Sequence, residues 1–370
     1  MNRLRARELG LPMPGVTGPY NAITDVKDLQ VGYTTLDDTA ANGRPIKTGV
    51  TAILPRGRAR RPMPVWAGFH ALNGNGEVTG THWIEHGGYF VGPVCLTNSH
   101  SVGIVHHAAT RWLLEHHAAT YHAHHLWAMP VVAETYDGVL NDINGQHIEA
   151  HHVHDALAAA SDGPIAEGNV GGGNGMICYG FKGGTGTASQ RITVGDVSYT
   201  VGVLVQANHG RRDWLTVCGV PVGERLRDED EPAELNRERG SIVAVIATDA
   251  PMLPHQLKRL AQRAGLGIAR SGTPGGNDSG DMFLAFSTAN QGPLPQLAPV
   301  QQQMRYLNNE YFDPFYMAVV QATDEAVLNA MLMAEGAPMH KPAGWCPALD
   351  AMRLAPLLDA AGIAIRTGDV

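Results

Sequence analysis

Short apolar runs and helix-spaced apolar positions are mixed along the chain. Uninterrupted apolar runs predict strands, and apolar side chains recurring every three or four residues predict helices. The predicted strands cover residues 50–54, 65–69, 128–133, 197–205, 241–248 and 282–286. The predicted helices cover residues 102–112, 151–160, 256–264 and 324–334, the last with Thr323 as its N-cap. Because the two element types do not strictly alternate, the pattern predicts an α/β or α+β fold with sheets between helix layers.

One junction in this pattern is abrupt. Residues 227–239 read R-D-E-D-E-P-A-E-L-N-R-E-R, which predicts an exposed linker, and the apolar run of residues 242–247 follows directly after Gly240 and Ser241. The plain interpretation is a loop glycine before an ordinary strand. The alternative is a self-cleavage point, which would make Ser241 both an N-terminus and a nucleophile.

The junction has the residue types that self-cleavage needs. Gly240 has no Cβ, so it tolerates the distorted backbone in which the hydroxyl of Ser241 attacks its carbonyl. The new α-amine of Ser241 would have an ordinary pKa of about 7.7–8.0, close enough to neutral to act as a base toward its own hydroxyl. One residue would then supply nucleophile and base together.

Polar side chains that suit such a nucleophile stand where predicted strands give way to loops. They are Tyr136 in E-T-Y-D-G, Asn208 in Q-A-N-H-G, and Ser279 with Asp281 in G-G-N-D-S-G-D-M-F. Each alone fits a turn residue. Together they form a complete set of candidates for oxyanion binding and for orienting the amine.

Composition excludes several classes of function. A net charge of −8 and a pI near 6.1 give no electrostatic footprint for nucleic acid. The largest basic cluster, residues 56–61, is expected to be a solvated loop. No apolar run approaches the roughly 20 residues that span a bilayer, and no signal sequence is evident, so the expectation is a cytoplasmic protein without a membrane partner. The four cysteines lack C-x-x-C spacing and are expected to be reduced and mostly buried.

The chain also contains 18 histidines, which raises a metal-binding or scaffold protein as a rival interpretation. The strongest candidates are His152 and His154 in H-H-x-H. No H-E-x-x-H motif is present, and the doublets at 106–107 and 116–117 point to several helix faces. We therefore expect surface and helix-packing histidines, with no metal and no cofactor.

A family resemblance runs through nearly the whole chain. The motifs that carry it are N-A-I-T-D-V, E-T-Y-D-G-x-L-N-D, E-G-N-V-G-G-G-N-G-M, K-G-G-T-G-T-A-S, G-V-L-V-Q-A-N-H-G, R-G-S-I-V-A-V-I-A-T-D-A-P and S-G-D-M-F-L-A-F-S-T. In combination they resemble the DmpA-type L-aminopeptidase/D-amidase-esterase family, which includes the β-peptidyl aminopeptidases. The resemblance implies an α+β fold, an αββα four-layer sandwich like that of N-terminal nucleophile hydrolases. It also implies one domain, residues 1–370, that cuts itself into residues 1–240 and 241–370.

By resemblance, Ser241 is the nucleophile and Asn208 binds the oxyanion. Tyr136 lines the site, and Ser279 and Asp281 contact the nucleophile and its amine. Some members carry glutamate in place of Asp281, and Asn174 stands where relatives carry threonine. Glu134 is expected to recognise the free amino group of the substrate. Asp137, equally close to Tyr136 in sequence, is the alternative.

The resulting expectation is a serine aminopeptidase that releases N-terminal residues from short peptides, amides or esters, with α-L, D-alanyl and β-amino acids all possible. The resemblance further implies a homo-oligomer, a tetramer of cut protomers. Two alternatives keep the fold: an amidase for non-peptide oligomers, or an acyltransferase of the ornithine acetyltransferase type. The latter would use threonine in place of Ser241.

Overall fold

Two β-sheets face each other at the centre of the molecule, and helices cover the outer face of each. The computed structural model describes residues 3–227, 237–238 and 240–366. The linker predicted at residues 227–239 therefore lies mostly outside the described residues.

The elements follow one another in a mixed order, as the sequence predicts. The strands are β1 (Gln30–Thr39), β2 (Pro45–Leu54), β3 (Val65–Ala71), β4 (Tyr89–Phe90), β5 (Val94–Asn98), β6 (Val131–Thr135), β7 (Ile177–Cys178), β8 (Phe181–Lys182), β9 (Gly184–Val194), β10 (Val197–Asn208), β11 (Thr216–Val217), β12 (Val220–Pro221), β13 (Ser241–Thr248), β14 (Gly280–Ser287), β15 (Ala337–Met339) and β16 (Gly344–Cys346). The helices are α1 (Thr81–Gly87), α2 (Val102–His116), α3 (Ala118–Ala123), α4 (Ala150–Ala158), α5 (Pro254–Ala269), α6 (Asp313–Leu332) and α7 (Ala351–Asp359).

The two large sheets differ in size. The smaller has the strand order β1-β2-β5-β6, and the larger has the order β4-β3-β14-β13-β10-β9. Neighbouring strands are antiparallel except for two parallel pairs, β5 with β6 and β13 with β14. In the larger sheet, β13 and β14 lie between β3 on one side and β10 on the other.

Three apolar layers hold these parts together. Between the sheets, Ile53 and Leu96 of the smaller sheet belong to the same buried cluster as Leu204 and Val245 of the larger one. A second cluster joins α2 and α4 to the outer face of the smaller sheet, and a third joins α5 and α6 to the outer face of the larger sheet. The layers therefore run helix, sheet, sheet, helix, which confirms the expected αββα sandwich.

The predicted strands are confirmed, but the sequence did not assign them to sheets. The strands predicted at residues 50–54 and 65–69 are adjacent in the chain, yet β2 belongs to the smaller sheet and β3 to the larger. Ile53 of β2 and Val65 of β3 belong to the same buried cluster between the two sheets. Pairing partners depend on residues far away in sequence, which the local pattern does not encode.

The predicted start of the last long helix was wrong. Helix α6 begins at Asp313 and carries Pro314 in its first turn, where a proline costs no hydrogen bond. Thr323, the predicted N-cap, is fully buried in the helix interior. Apolar positions from Phe315 onward continue the same helical stripe, so the helix starts ten residues before Thr323.

The basic cluster at residues 56–61 is only partly solvated. Arg56 is half-buried, and its guanidinium donates to the carbonyls of Pro64 and Ala289 at 3.0 and 3.3 Å. Arg56 thus ties this loop to the end of β14, whereas Arg60 and Arg61 are exposed as expected.

The cysteines lie mostly in the interior, as expected. Cys95, Cys178 and Cys346 are buried, and Cys218 is half-buried. Among the described residues, no helix is long and apolar enough to cross a membrane.

The N-terminal segment is fastened to α6 by a buried ion pair. Arg7 Nε lies 2.9 and 3.0 Å from the two carboxylate oxygens of Glu325, and Asn21 Nδ2 donates to Glu325 at 2.6 Å. Glu325 is almost fully buried, whereas Arg7 keeps partial solvent contact. This contact joins the two ends of the sequence across the outer face of the larger sheet.

Replacing Glu325 with glutamine should therefore destabilise the protein, because Arg7 would lose its charged partner. We expect a loss of about 2 kcal/mol, between the roughly 0.5 kcal/mol of an exposed pair and the roughly 4 kcal/mol of a fully buried one. Urea unfolding of Glu325→Gln measures the loss, with Glu310→Gln, an exposed glutamate, as the control. Equal unfolding midpoints for both variants would contradict this role.

Candidate active site

Ser241 is the first residue of β13, at the centre of the larger sheet. It pairs with Asn208 of β10 on one side and with Gly280 of β14 on the other. The backbone N–H of Gly280 donates to Ser241 Oγ at 3.0 Å. Ser241 is buried, and its hydroxyl is held in a fixed place by the sheet itself.

Two glycines leave room for this arrangement. A Cβ on Gly240 would lie 1.6 Å from the carbonyl oxygen of Asn208, and a Cβ on Gly280 would lie 2.1 Å from that of Asn75. Both distances are far below van der Waals contact, so no other residue fits without moving the backbone. The glycine preceding Ser241 is therefore required by packing as well as compatible with self-cleavage.

Asn208 ends β10 with its side-chain amide held on both sides. Its Oδ1 accepts from the N–H of Ile177 at 2.8 Å, and its Nδ2 donates to the carbonyl of Tyr136 at 2.9 Å. The first bond fixes which end of the amide is the donor. Nδ2 carries a second hydrogen, which an oxyanion beside Ser241 can accept.

Ser279 and Asp281 form a hydrogen-bonded pair at the start of β14. Ser279 Oγ donates to Asp281 Oδ1 at 2.5 Å, and Asn73 Nδ2 approaches Asp281 Oδ2 at 3.4 Å. Both residues of the pair are buried. Burial raises the pKa of Asp281, although the hydrogen bonds from Ser279 and Asn73 oppose the increase. The sequence-predicted pair and nucleophile are thus brought to neighbouring strands.

Glu134 stands at the end of β6, on the opposite sheet. The N–H of Glu77 donates to its Oε1 at 2.9 Å, and the hydroxyl of Ser99 makes a short hydrogen bond to its Oε2. Burial raises the pKa of Glu134 above its ordinary value, and these hydrogen bonds offset part of the increase. Loop 73–77 connects the two acids, since its first residue contacts Asp281 and its last contacts Glu134. Tyr136, two residues further, is 44% exposed.

Asp137 and Asn174 serve the interior. Asp137 accepts from Asn141 Nδ2 at 3.1 Å and packs against Gly175. A Cβ added to Gly175 would lie 2.6 Å from the Cβ of Asp137. Burial raises its pKa to about 7. Asn174 Nδ2 donates to the carbonyl of Leu36 at 2.8 Å and so anchors the glycine-rich loop to β1. Of the two acids near Tyr136, Glu134 is the one that borders loop 73–77.

A model of peptidase family S58 matches residues 21–342. The chain belongs to this family. It is 48% identical over 347 residues to beta-peptidyl aminopeptidase BapA of Sphingosinicella microcystinivorans, covering 90% of this chain and 86% of the relative.

Solved structures agree with this assignment. The L-aminopeptidase D-Ala-esterase/amidase of Ochrobactrum anthropi, described as a variant of the Ntn hydrolase fold, superposes with a TM-score of 0.92 at 52% identity, covering 97% of this chain and 99% of that one. A beta-aminopeptidase of Burkholderia sp. superposes with a TM-score of 0.86 at 45% identity and the same coverage.

This S58 peptidase contains polar groups near the site that the sequence did not single out. They are Asn73, the backbone N–H of Glu77, Ser99, the backbone N–H of Gly280, and Glu238. The segment Asn73-Gly-Asn-Gly76 is a typical turn sequence, and only the folded chain places it against Asp281 and Glu134. Glu238 lies in the segment predicted to be an exposed linker, yet its carboxylate oxygens are shielded from solvent.

A buried cysteine and histidine next to the site could be mistaken for a second nucleophilic pair. Cys178 Sγ lies 3.7 Å from His209 Nδ1. Burial raises the pKa of the thiol and lowers that of the imidazole to about 3. Both groups are therefore neutral near pH 7, and the thiolate needed for nucleophilic attack is not formed.

Asp281→Asn in this S58 peptidase should impair turnover, because the pair with Ser279 loses its negative charge while its size is kept. We expect kcat to fall about 100-fold, the scale of a positioned acid or base. Turnover of an alanine p-nitroanilide measures the effect. Asp196→Asn, an exposed aspartate in the turn between β9 and β10, is the control, and equal rates for the two variants would exclude the role of Asp281.

Proposed function

We propose that this protein is a self-processing serine aminopeptidase that cuts its own chain between Gly240 and Ser241 and then uses Ser241 as its nucleophile. The observation that carries the proposal is the position of Ser241. It begins a central strand with its Oγ held by the Gly280 N–H, between the amide of Asn208 and the pair Ser279 and Asp281. Membership of a peptidase family accords with this arrangement.

Self-cleavage starts from the uncut peptide bond. Ser241 Oγ attacks the carbonyl carbon of Gly240, the C–N bond breaks, and the hydroxyl proton ends on the nitrogen of Ser241. Water then hydrolyses the resulting ester, which releases Gly240 as a carboxylate and restores the hydroxyl. The N–H of Gly280 supports the first step, because it stabilises negative charge developing on Oγ.

Substrate hydrolysis repeats the same chemistry with the free amine as the base. The α-amine of Ser241 takes the hydroxyl proton as Oγ attacks the scissile carbonyl, and it returns that proton to the leaving amine. Water then hydrolyses the acyl ester on Oγ, which releases the N-terminal residue as an acid and restores the hydroxyl. Asp281, bound to Ser279, supplies the negative charge that favours and orients the ammonium form. The second hydrogen of Asn208 Nδ2 binds the oxyanion.

Glu134 gives the reaction its preference for free N-termini. A carboxylate in a largely buried position binds a substrate ammonium group and disfavours a blocked terminus, since it would then face no positive partner. We propose short peptides, amides or esters as substrates. The relatives named for β-peptidyl and L-aminopeptidase activity support this class without fixing the N-terminal residue. Acyl transfer to an amine acceptor is the alternative outcome on the same site.

We further propose a cytoplasmic homo-oligomer. The buried free thiols of Cys95 and Cys178 suit a reducing compartment. The tetrameric state is inferred from the family resemblance and is measured by light scattering.

Purified wild-type protein should run on a denaturing gel as two chains, the smaller beginning Ser-Ile-Val-Ala-Val. Ser241→Ala should remain one chain of 39.5 kDa, because no hydroxyl is present to attack. Ser241→Thr keeps the hydroxyl and should still be cut, more slowly. Intact mass and N-terminal sequencing distinguish these results, and an uncut wild-type protein would refute the mechanism.

Glu134→Gln should weaken recognition of the substrate ammonium group. We expect kcat/KM for an unblocked alanine amide to fall about tenfold or more, the scale of one charged hydrogen bond. The kcat/KM for the N-acetylated amide should not fall by a comparable factor, so the measurement is the ratio of kcat/KM between the two substrates. Glu115→Gln, on the exposed face of α2, is the control. An unchanged ratio would remove Glu134 from this role.

A further inference from the structure

A cavity of about 480 Å³ is lined by residues that come shortly before Ser241 and Ser279 in the chain. Its walls include Arg211, Trp214, Arg237, Glu238 and residues 276–278. The same short segment leads directly into Ser279, and the carbonyl of Gly276 accepts from Asn73, the residue that also approaches Asp281. The cavity is therefore lined by the two chain segments that lead into Ser241 and Ser279.

Arg211 presents a cation on one wall of this cavity. Its guanidinium lies 5.3 Å from the ring centre of Trp214, which holds the group in place. The side chain is 40% exposed, and its only salt bridge among the described residues is a long one, 3.5 Å from Nη2 to Asp213. Nε is shielded and has no hydrogen-bond partner within the described part of the chain. A planar guanidinium offers five donors, so capacity for a bidentate anion remains.

Glu238 places a carboxylate in the same cavity in the uncut chain. Neither of its buried oxygens makes a hydrogen bond of standard geometry to a described residue. Burial and the nearby Asp281 raise its pKa to about 7, while the N–H groups of Gly210 and Gly240 and the guanidinium of Arg211 act in the opposite direction. The cavity thus accommodates a carboxylate near Arg211, but Glu238 is an unfavourable occupant because it also faces Asp281.

Cleavage removes the restraint that keeps Glu238 there. Glu238 would become the third residue from a free C-terminus, and the new carboxylate of Gly240 would add another negative charge beside Asp281. Like charges at this range repel in a partly buried site. The cut therefore frees Glu238, the acidic side chain that shares the cavity with Arg211.

We propose that Arg211 binds the free C-terminal carboxylate of a short peptide substrate in this cavity, which the carboxylate of Glu238 shares before the cut. The inference rests on the proposed aminopeptidase function and narrows its substrates to short peptides with an unblocked C-terminus. The leaving residue of a dipeptide carries its carboxylate one residue beyond the scissile bond, so only short substrates present it to this wall. Asp278 remains as the acid of the cavity, and it accepts from Asn277 Nδ2 at 2.9 Å.

The test compares a dipeptide with its own C-terminal amide. The pairs are β-alanyl-L-alanine with its amide and L-alanyl-L-alanine with its amide, assayed by release of alanine or alaninamide. Arg211→Gln keeps a planar group that can lie on Trp214 but removes the charge. We expect it to raise KM for the free acid about tenfold or more, the scale of a charged hydrogen bond, and to leave KM for the amide within about twofold.

Two further variants complete the test. Arg211→Lys restores the charge and should recover part of the preference for the acid. Arg225→Gln, an exposed arginine on the same segment, should change neither substrate. If Arg211→Gln is poorly folded, Arg211→Lys decides the question: its acid-to-amide ratio of kcat/KM should lie between one and the wild-type ratio, and an unchanged ratio would contradict bidentate binding by Arg211.

The outcomes separate the two proposals. Equal kcat/KM for acid and amide in the wild type, or equal losses for both in Arg211→Gln, would overturn the role of Arg211 while self-cleavage and amide turnover stand. Failure of the wild type to cut itself or to hydrolyse any of the four substrates would instead overturn the proposed function.

Discussion

The site depends on the close approach of three neighbouring strands, which requires glycine, a residue without a side chain, at two positions. Asn208, Ser241 and Gly280 stand in register on β10, β13 and β14, and the hydroxyl of Ser241 is bound by a backbone N–H of the neighbouring strand. This close approach is possible because Gly240 and Gly280 have no Cβ. The proposed nucleophile is consequently positioned by the most regular part of the structure, so its placement needs no loop to order itself.

The residues near the reaction centre could be found from the sequence because each stands at the end of an apolar run. Asn208 ends β10, Ser241 begins β13, and Asp281 lies at the start of β14, so their positions follow from the strand pattern alone. The family resemblance assigned their roles. Neither source predicted the groups that hold the site residues, such as Asn73 at Asp281 and Ser99 at Glu134, because those contacts join distant parts of the chain.

The errors, and the sheet assignments that the sequence left open, have similar causes. Residues 50–54 and 65–69 are both strands, but their sheets are decided by partners far away in sequence. The helix predicted from residue 324 begins at Asp313, because Pro314 is compatible with the first turn of a helix and does not end it. Glu238 was assigned to an exposed linker on composition, although its carboxylate is buried beside Asp281. Local pattern identifies elements well, and it fails where burial is decided by tertiary contacts.

The strand order of the larger sheet has a consequence for how the protein is made. The proposed cut would leave β13 and β14 in one fragment, held between β3 and β10 of the other. Folding of the uncut chain is a unimolecular process, whereas reassembly of the two fragments would be second order and would slow on dilution. A denatured cut enzyme would then recover poorly at low concentration, whereas refolding of the uncut chain would not depend on concentration. After the cut, the folded enzyme would therefore persist because it unfolds slowly, and no longer because folding is a reversible equilibrium.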